Sequence, residues 1–267
     1  MHFTKIQATG NDFIMVEDWA GALELASEQV ARLCDRHFGI GADGIIQLRT
    51  PASGGAAAYM HYINADGSLA EMCGNGVRAV GRYLVAQGRI EELPGGAEFA
   101  VETLGGLKEL VYDAAAADGA GAFSVNMGKP ELLGTKQVED LQLAAVKMPN
   151  PHAVALVEDF DFDLAQVGRI VENATAVFPE KTNVEFVQVQ NPLMLKMRVW
   201  ERGVGETLSC GTGACAAVVA CASAKLAERK VEVEVAGGKL QIEWQADDTV
   251  SLSGPAEIVY EGEIEVA

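Results

Sequence analysis

The chain has 267 residues, 49% hydrophobic and 22% charged, enough for one large core or two medium ones and incompatible with a disordered, collagenous or miniature scaffold. Thirty-eight acidic against 20 basic residues give a net charge of −18, which disfavours nucleic acid and anionic membranes as partners and points to a small ligand. No run reaches the roughly 18 apolar residues of a membrane span, and Met1-His2-Phe3-Thr4-Lys5 enters an alternating pattern with no signal-peptide core, so the chain reads as cytoplasmic.

In chain order, alternation predicts strands at Ile6–Gln7 and Phe13–Glu17, and an amphipathic helix over Ser27–Arg36. Strands follow at Ile45–Arg49 and Ala58–Ile63, around a turn-like Pro51-Ala-Ser-Gly-Gly55. Residues 74–87 place Val77, Val80, Leu84 and Val85 on one helical stripe and Arg78, Arg82 and Gln87 off it, closing at Gly88 in the C′ position. Strand-like Lys108–Tyr112 and Phe123–Met127 flank Asp113–Ala122, a small-residue stretch without apolar periodicity that is the expected domain boundary. Further strands are predicted at Val184–Gln190, Leu193–Trp200, Val231–Val235, Leu240–Trp244 and Val250–Ser253. The segment 211–227 has no polar face over nearly three turns, as expected of a helix surrounded by its own sheet.

The chain is written twice. Cys73-Gly-Asn-Gly-Val-Arg-Ala79 and Cys210-Gly-Thr-Gly-Ala-Cys-Ala216 share Cys-Gly-x-Gly-x-x-Ala at a separation of 137 positions, about half the length. Asn11 precedes Cys73 by 62 residues and Asn150 precedes Cys210 by 60, while Asn64 and Glu201 stand nine positions ahead of their cysteines. Two similar domains are expected, residues 1–115 and 120–255, with a C-terminal strand at about 256–267 returning to the first.

Both repeats put Cys directly before Gly-x-Gly and a helix. Free amides and the positive helix end favour a thiolate there, and the same amides can hold a carboxylate; Gly74, Asn75, Gly211 and Thr212 are the candidate donors. Two such sulfurs facing one carbon across an interdomain cleft could invert it, one taking a proton as the other gives one. An ordinary thiol, at roughly 8.5 to 9, is too weakly ionised for a base, so the helix ends are expected to lower one of the pair. A lone Cys at such a place is ordinarily a small buried hydrophobe, and Cys34, Cys215 and Cys221 are read so; recurrence in one motif sets Cys73 and Cys210 apart. Five cysteines without a Cys-x-x-Cys, and four histidines, give neither a disulfide framework nor a metal site. No Lys-centred pyridoxal phosphate signature is present, and no cofactor is expected.

Seven ordered blocks carry a resemblance: Ala8-Thr-Gly-Asn-Asp-Phe13, Gly39-Ile-Gly-Ala-Asp-Gly44, Asn64-Ala-Asp-Gly-Ser68, Glu71-Met-Cys-Gly-Asn-Gly76, Asn150-Pro-His-Ala-Val154, Thr182-Asn-Val-Glu-Phe186 and Glu201–Gly213. Together they resemble the diaminopimelate epimerases from the first ten residues to past residue 220. The resemblance implies an α+β fold of two pseudo-symmetric domains, each a mixed sheet curled around a central helix, with the active site in the interdomain cleft. It implies a cofactor-independent epimerase of LL- and meso-diaminopimelate, supplying lysine and peptidoglycan precursors, and a homodimer. By motif position it makes Cys73 and Cys210 the acid/base pair and Gly74, Asn75, Gly211 and Thr212 the clamp on the reacting carboxylate. Asn64, Asn150, Asn183, Glu201 and Arg202 become the recognition set for the distal amino-acid end, with Asn11 and Gln47 nearby. His152 and Glu201 would help set the protonation of Cys73 and Cys210 respectively; a capping His and a solvated Glu are the plainer alternatives. One departure is Pro149, where relatives commonly have Gly, which narrows φ and removes an N–H just ahead of Asn150.

Gly39-x-Gly41-x-x-Gly44 matches a dinucleotide fingerprint but runs from helix into strand, the reverse of the required order. Glu91-Glu92 and Glu261–Glu265 read as solvated faces. The competing readings are a two-cysteine racemase for proline or glutamate, which would not need the distal polar set, and a catalytically silent binding protein, which loss of either Cys would have marked. If the two sulfurs can flank one carbon, oxidation to a Cys73–Cys210 disulfide would inactivate the protein, reversibly with a dithiol.

Overall fold

Strands dominate the computed structural model, which describes residues 1–91, 96–115 and 122–266. The first half of the chain runs β1 (His2–Ala8), β2 (Asn11–Glu17), α1 (Ser27–Cys34), β3 (Gly44–Arg49), β4 (Ala58–Asn64), β5 (Leu69–Ala70), α2 (Gly74–Ala86), β6 (Ala97–Thr103), β7 (Gly106–Asp113) and β8 (Ala122–Asn126). The second runs β9 (Glu131–Val138), β10 (Leu141–Lys147), β11 (Pro151–Leu156), α3 (Leu164–Glu172), β12 (Asn183–Asn191), β13 (Met194–Glu201), β14 (Gly205–Thr207), α4 (Gly211–Ser223), β15 (Lys230–Val235), β16 (Gly238–Trp244) and β17 (Val250–Gly254), then β18 (Glu257–Glu263). The chain divides into two compact units, Met1–Val125 with Gly254–Ala267, and Asn126–Ser253. Of the expected boundary stretch, residues 116–121 lie outside the described residues, as do Glu92 and Ala267.

In the first unit the pairing order is β18-β1-β2-β3-β4-β6-β7-β8, with β5 hooked onto β4. β2 with β3 and β4 with β6 are parallel; the other pairs are antiparallel. Helix α2 packs against β1, β2, β4, β6, β7 and β18, so the sheet wraps it. That enclosure corrects the placing of Arg78 off the buried stripe: it is fully buried and donates from Nη2 to Thr9 Oγ1 at 3.0 Å. The strands leave Arg78 no wet side, while Arg82 on the same helix stays half-buried. Helix α1 stops at Cys34 rather than Arg36, because Asp35 turns extended and its carboxylate accepts from the amides of His37 and Phe38, both at 2.7 Å. The Gly39 and Gly44 of the declined fingerprint serve close packing, since a Cβ would lie 2.1 Å from Arg32 O at the first and 2.5 Å from Tyr62 Cε2 at the second.

The second unit repeats the path strand for strand. Its order is β9-β10-β11-β12-β13-β15-β16-β17, with β14 on β13 and with β11–β12 and β13–β15 parallel. Helix α4 packs against β10, β11, β12, β13, β15 and β16, which meets the expectation drawn from its all-apolar composition. It ends at Ser223, earlier than residue 227, because Lys225 turns left-handed at φ 59° and Leu226 donates back to Cys221 O, a Schellman-type stop. Helix α3 is an addition to the sequence reading; Asp163 caps it, accepting from Gln166 N at 3.0 Å, and it buries Leu164 and Val171 against Trp200 and Phe186. Among the described residues no helix is long and apolar enough to cross a membrane.

Candidate active site

Each cysteine of the repeated motif stands at the N-cap of a central helix. Cys73 caps α2 in extended conformation, φ −141° and ψ 116°, and its sulfur accepts from Gly76 N at 3.4 Å. The tight turn between β1 and β2, with Thr9 at φ 49° and Gly10 at φ 83°, delivers Asn11 to it. Cys73 Sγ donates to Asn11 Oδ1 at 3.5 Å, and Asn75 Nδ2 donates to the same oxygen at 3.2 Å. Arg78, four residues into α2, holds Thr9 and so ties that turn to the helix carrying Cys73.

Behind Asn11 lies an ion cluster that the sequence reading missed. Asn11 Nδ2 donates to Asp43 Oδ2 at 2.7 Å; Arg36 bridges Asp43 at 2.8 Å and Asp12 at 2.8 and 2.9 Å; and Lys5 reaches Asp12 at 2.7 Å and Gly41 O. Burial works against ionising Asp12, but the hydrogen bonds and charges of Arg36 and Lys5 win and hold its carboxyl at about 2. Asn64, ending β4, stands opposite Gly44 and donates to Ser68 Oγ at 3.0 Å, while the next residue, Ala65, donates to Asp43 O. Gln47 is not brought to this group. It is buried further along β3, where Nε2 donates to Leu23 O and Oε1 accepts from Arg49.

Cys210 caps α4 at φ −119° and ψ 109° and is buried, with Thr212 Oγ1 3.5 Å from its sulfur. Glu201, at the end of β13, accepts from Thr207 Oγ1 at 2.5 Å and is close enough to Cys210 for their charges to interact. Cys210 is not the lowered thiol of the pair. Burial first, then the charges of Glu201 and Glu185, push the Cys210 thiol well above its ordinary range, outweighing the bonds from Thr212 and the Gly213 amide. A helix end contributes about 0.3–1 kcal/mol, less than taking a thiolate out of water beside two carboxylates. Burial, with Glu185 adding its charge, also raises Glu201, against the bond it accepts from Thr207.

The remaining residues of this unit form an arm across three strand ends. His152 Nε2 meets Asn150 Oδ1 at 2.9 Å, and His152 Nδ1 meets Glu185 Oε1 at 2.7 Å, with both His152 and Glu185 fully buried. Pro149 thus leaves Asn150 joined to His152. Asn183, opposite His152 in the parallel pair, donates to Pro151 O at 3.2 Å and accepts from Arg202 N at 2.9 Å. The Arg202 guanidinium is exposed and donates to Glu180 O at 2.7 Å. Glu172 braces this turn, accepting from Gly203 N at 3.1 Å and Trp200 Nε1 at 2.8 Å. Among the described residues no group of three His, Cys, Asp or Glu is placed to hold a metal ion.

A family model described as diaminopimelate epimerase matches residues 3–133 and 144–259. The chain belongs to the diaminopimelate epimerase family. A diaminopimelate epimerase of Desulfitobacterium hafniense is 40% identical over 98% of this chain and 97% of its own, and one of Synechocystis is 40% identical over 100% and 99%. A chloroplastic one of Oryza sativa is 42% identical over 98% of this chain and 79% of its own. The same fold is found in a phenazine biosynthesis protein of the PhzF family from Bacillus anthracis, with a TM-score of 0.74, 17% identity and coverage of 100% and 99%. A probable proline racemase from Agrobacterium radiobacter gives a TM-score of 0.77 at 13% identity, covering 100% and 93%. In this member of the diaminopimelate epimerase family the two helix-capping cysteines therefore sit on a scaffold that its relatives share along the full chain.

Proposed function

We propose that the protein interconverts LL- and meso-2,6-diaminopimelate by a two-base mechanism without a cofactor, an isomerase of the EC 5.1.1.7 type serving lysine and peptidoglycan precursor synthesis. The observation that carries this reading is the double occurrence of Cys-Gly-x-Gly as a helix start with the cysteine at the cap, in a chain 40% identical to diaminopimelate epimerases over nearly its full length.

The chemistry needs Cys73 and Cys210 to address opposite faces of one α-carbon. A thiolate takes the α-proton, the C–H pair stays on carbon, and the opposing thiol gives its proton to the other face; the first sulfur ends as thiol and the second as thiolate. The raised state of Cys210, buried beside the charges of Glu201 and Glu185, supports its entering as the thiol, which leaves Cys73 the base in that half-reaction. The first-turn amides at Gly74, Asn75, Gly211 and Thr212 would hold the reacting carboxylate, since such amides lack carbonyl partners within a helix and lie at its positive end. Asn64, Asn150, Asn183, Glu201 and Arg202, with Asn11, would recognise the distal ammonium and carboxylate; Gln47 is occupied by Leu23 and Arg49 and fits this role least. His152 would assist Cys73, and Glu201 assists Cys210. The reading carries with it a cytoplasmic homodimer with no nucleic-acid or membrane partner, in keeping with the charge of −18.

Exchange of the substrate α-hydrogen in D₂O tests it, with the wild type, Cys73→Ser and Cys210→Ser under reducing conditions and no added cofactor. Deuterium incorporation with inversion in the wild type and lost epimerisation in both variants is expected. Exchange with proline or glutamate but not diaminopimelate would overturn the substrate and keep the chemistry; no exchange with any of them would overturn both.

A further inference from the structure

Glu185 sits in the middle of a fully buried strand segment, an unusual place for a carboxylate unless it is partnered. Oε1 meets His152 Nδ1 at 2.7 Å, whereas Oε2 is buried without a hydrogen-bond partner among the described residues. Through the same ring, Nε2 meets Asn150 Oδ1 at 2.9 Å. On its other side Glu185 is pressed into the first turn of α4: a Cβ added at Gly213, three residues after Cys210, would lie 2.6 Å from Oε1.

The first unit shows that the fold does not require this charge. By strand register, Phe13 beside Gly44 stands where His152 stands beside Asn183, and Ile46, two residues on, stands where Glu185 does. There Ile46 Cδ1 is 3.3 Å from a Cβ at Gly76, the same packing done by an apolar pair. A hydrogen-bonded imidazole–carboxyl pair kept where hydrocarbon would fill the space points to a use other than stability.

We propose that Glu185 is a positioning residue for the proton-transfer chemistry, a buried carboxylate that joins the Asn150–His152 arm to the first turn of α4 and makes the surroundings of Cys210 electrically unlike those of Cys73. The assignment rests on the reading that Cys210 takes part in proton transfer. The titratable groups facing Cys210 are Glu185 from β12, Glu201 from β13 and, through Glu185, His152 from β11. Glu185 neither gives nor takes the substrate's proton. Its charge helps hold the proton on the Cys210 sulfur until a carbanion accepts it, while the S–H pair remains on sulfur. Around Cys73 the corresponding places are filled by Ile46 and the amide of Asn64, which carry no such charge.

The test is a pH titration of full-length protein labelled at the cysteine Cβ with ¹³C, whose shift separates thiol from thiolate, with signals assigned from single Cys→Ser variants. Glu185→Gln is expected to bring the Cys210 thiolate signal in at a pH lower by about one unit or more, a tenfold loss in proton affinity, with a smaller movement at Cys73. Glu185→Asp should return Cys210 towards the wild type. The double variant His152→Phe/Glu185→Ile copies the apolar pair of the first unit and keeps the measurement available if the single change unfolds the protein; it too should titrate early. A Cys210 that titrates no earlier in either variant than in the wild type, or a Cys73 that moves as far as Cys210 in Glu185→Gln, overturns the assignment. No substrate is present in the titration, so a failure to exchange diaminopimelate would sink the substrate reading without touching this result.

Discussion

Asp43 takes the amide nitrogen of Asn11 at 2.7 Å, and that contact decides which end of Asn11 meets Cys73 and Asn75. With a carboxylate behind it, Asn11 must present its oxygen forwards. Asp43→Asn removes the constraint and allows the amide to turn, replacing the acceptor beside Cys73 with a donor. A charge-assisted hydrogen bond is worth about 1.5–3 kcal/mol, so kcat/KM for diaminopimelate should fall about 10- to 100-fold. A value within twofold of wild type, with circular dichroism and Tm unchanged, would refute the role. Thr207 acts comparably on Glu201. Its hydroxyl donates to a carboxyl that burial already raises, and a donor to the ionised form lowers a pKa. Thr207→Val should therefore raise Glu201 further and move the acid limb of the kcat/KM profile to higher pH; a limb that stays or moves down would show that Glu201 does not govern it. Of these residues, Asn11 and Glu201 were legible from the repeat, since register with a cysteine marked them. Asp43 lies within the Gly39–Gly44 motif without a mark of its own, because its role lies in a contact across 32 residues that spacing does not reveal.

At the scale of elements, the two central helices start alike and are packed differently. A Cβ at Gly76 meets nothing closer than Ile46 Cδ1 at 3.3 Å, whereas one at Gly213 meets Glu185 Oε1 at 2.6 Å. Alanine gains up to about 1 kcal/mol of helix propensity over glycine at either place. Gly76→Ala should be near neutral in urea denaturation, and Gly213→Ala should lose about 1–3 kcal/mol as the buried carboxylate is displaced. Equal effects would mean that Glu185 yields freely. The starts of α2 and α4 could be read because cysteine caps and a small-residue start mark them, and Gly88 closes α2 at φ 66° as expected, whereas the end of α4 at Ser223 is set by the left-handed turn at Lys225. Helix α3 was also readable in principle: Asp163 precedes Leu164, Val167 and Val171 at helical spacing. The burial of Arg78 was not, because a helical wheel assumes one wet face and α2 has strands around it. Glu185 carried a signal that went unused, a lone charge inside the apolar run of β12.

For the whole molecule, duplication has conserved the path of the chain while letting corresponding positions diverge: Phe13 against His152, Ile46 against Glu185, Asn64 against Glu201. The repeat could be found in sequence because the helix starts kept their glycines; the charge difference between the units could not, because it appears only once the strands are in register. Titratable groups in both units also shape stability across pH. In the first, Asp12 is held at about 2 against an ordinary 3.8, so its stabilisation is full above about pH 4 and is lost as pH falls towards 2, roughly 2 kcal/mol in all. At the alkaline end the sign reverses. Burial lifts Cys34 in the first unit to about 12 and Cys221 in the second to about 11, against an ordinary 9.0. A raised folded-state pKa gives stability that is complete below the unfolded value and is lost as pH climbs towards the folded one. Between pH 8 and pH 10 the unfolded chain releases these two protons and the folded chain keeps them, at about 1.4 kcal/mol each. Urea unfolding at the two pH values should therefore show a loss to which Cys34→Ala and Cys221→Ala each remove about 1.4 kcal/mol. Each variant is compared with itself across pH, which cancels the cavity it creates. A pH 8 to pH 10 difference identical to wild type in both variants would place the alkaline sensitivity elsewhere, with Cys210 the next group to replace.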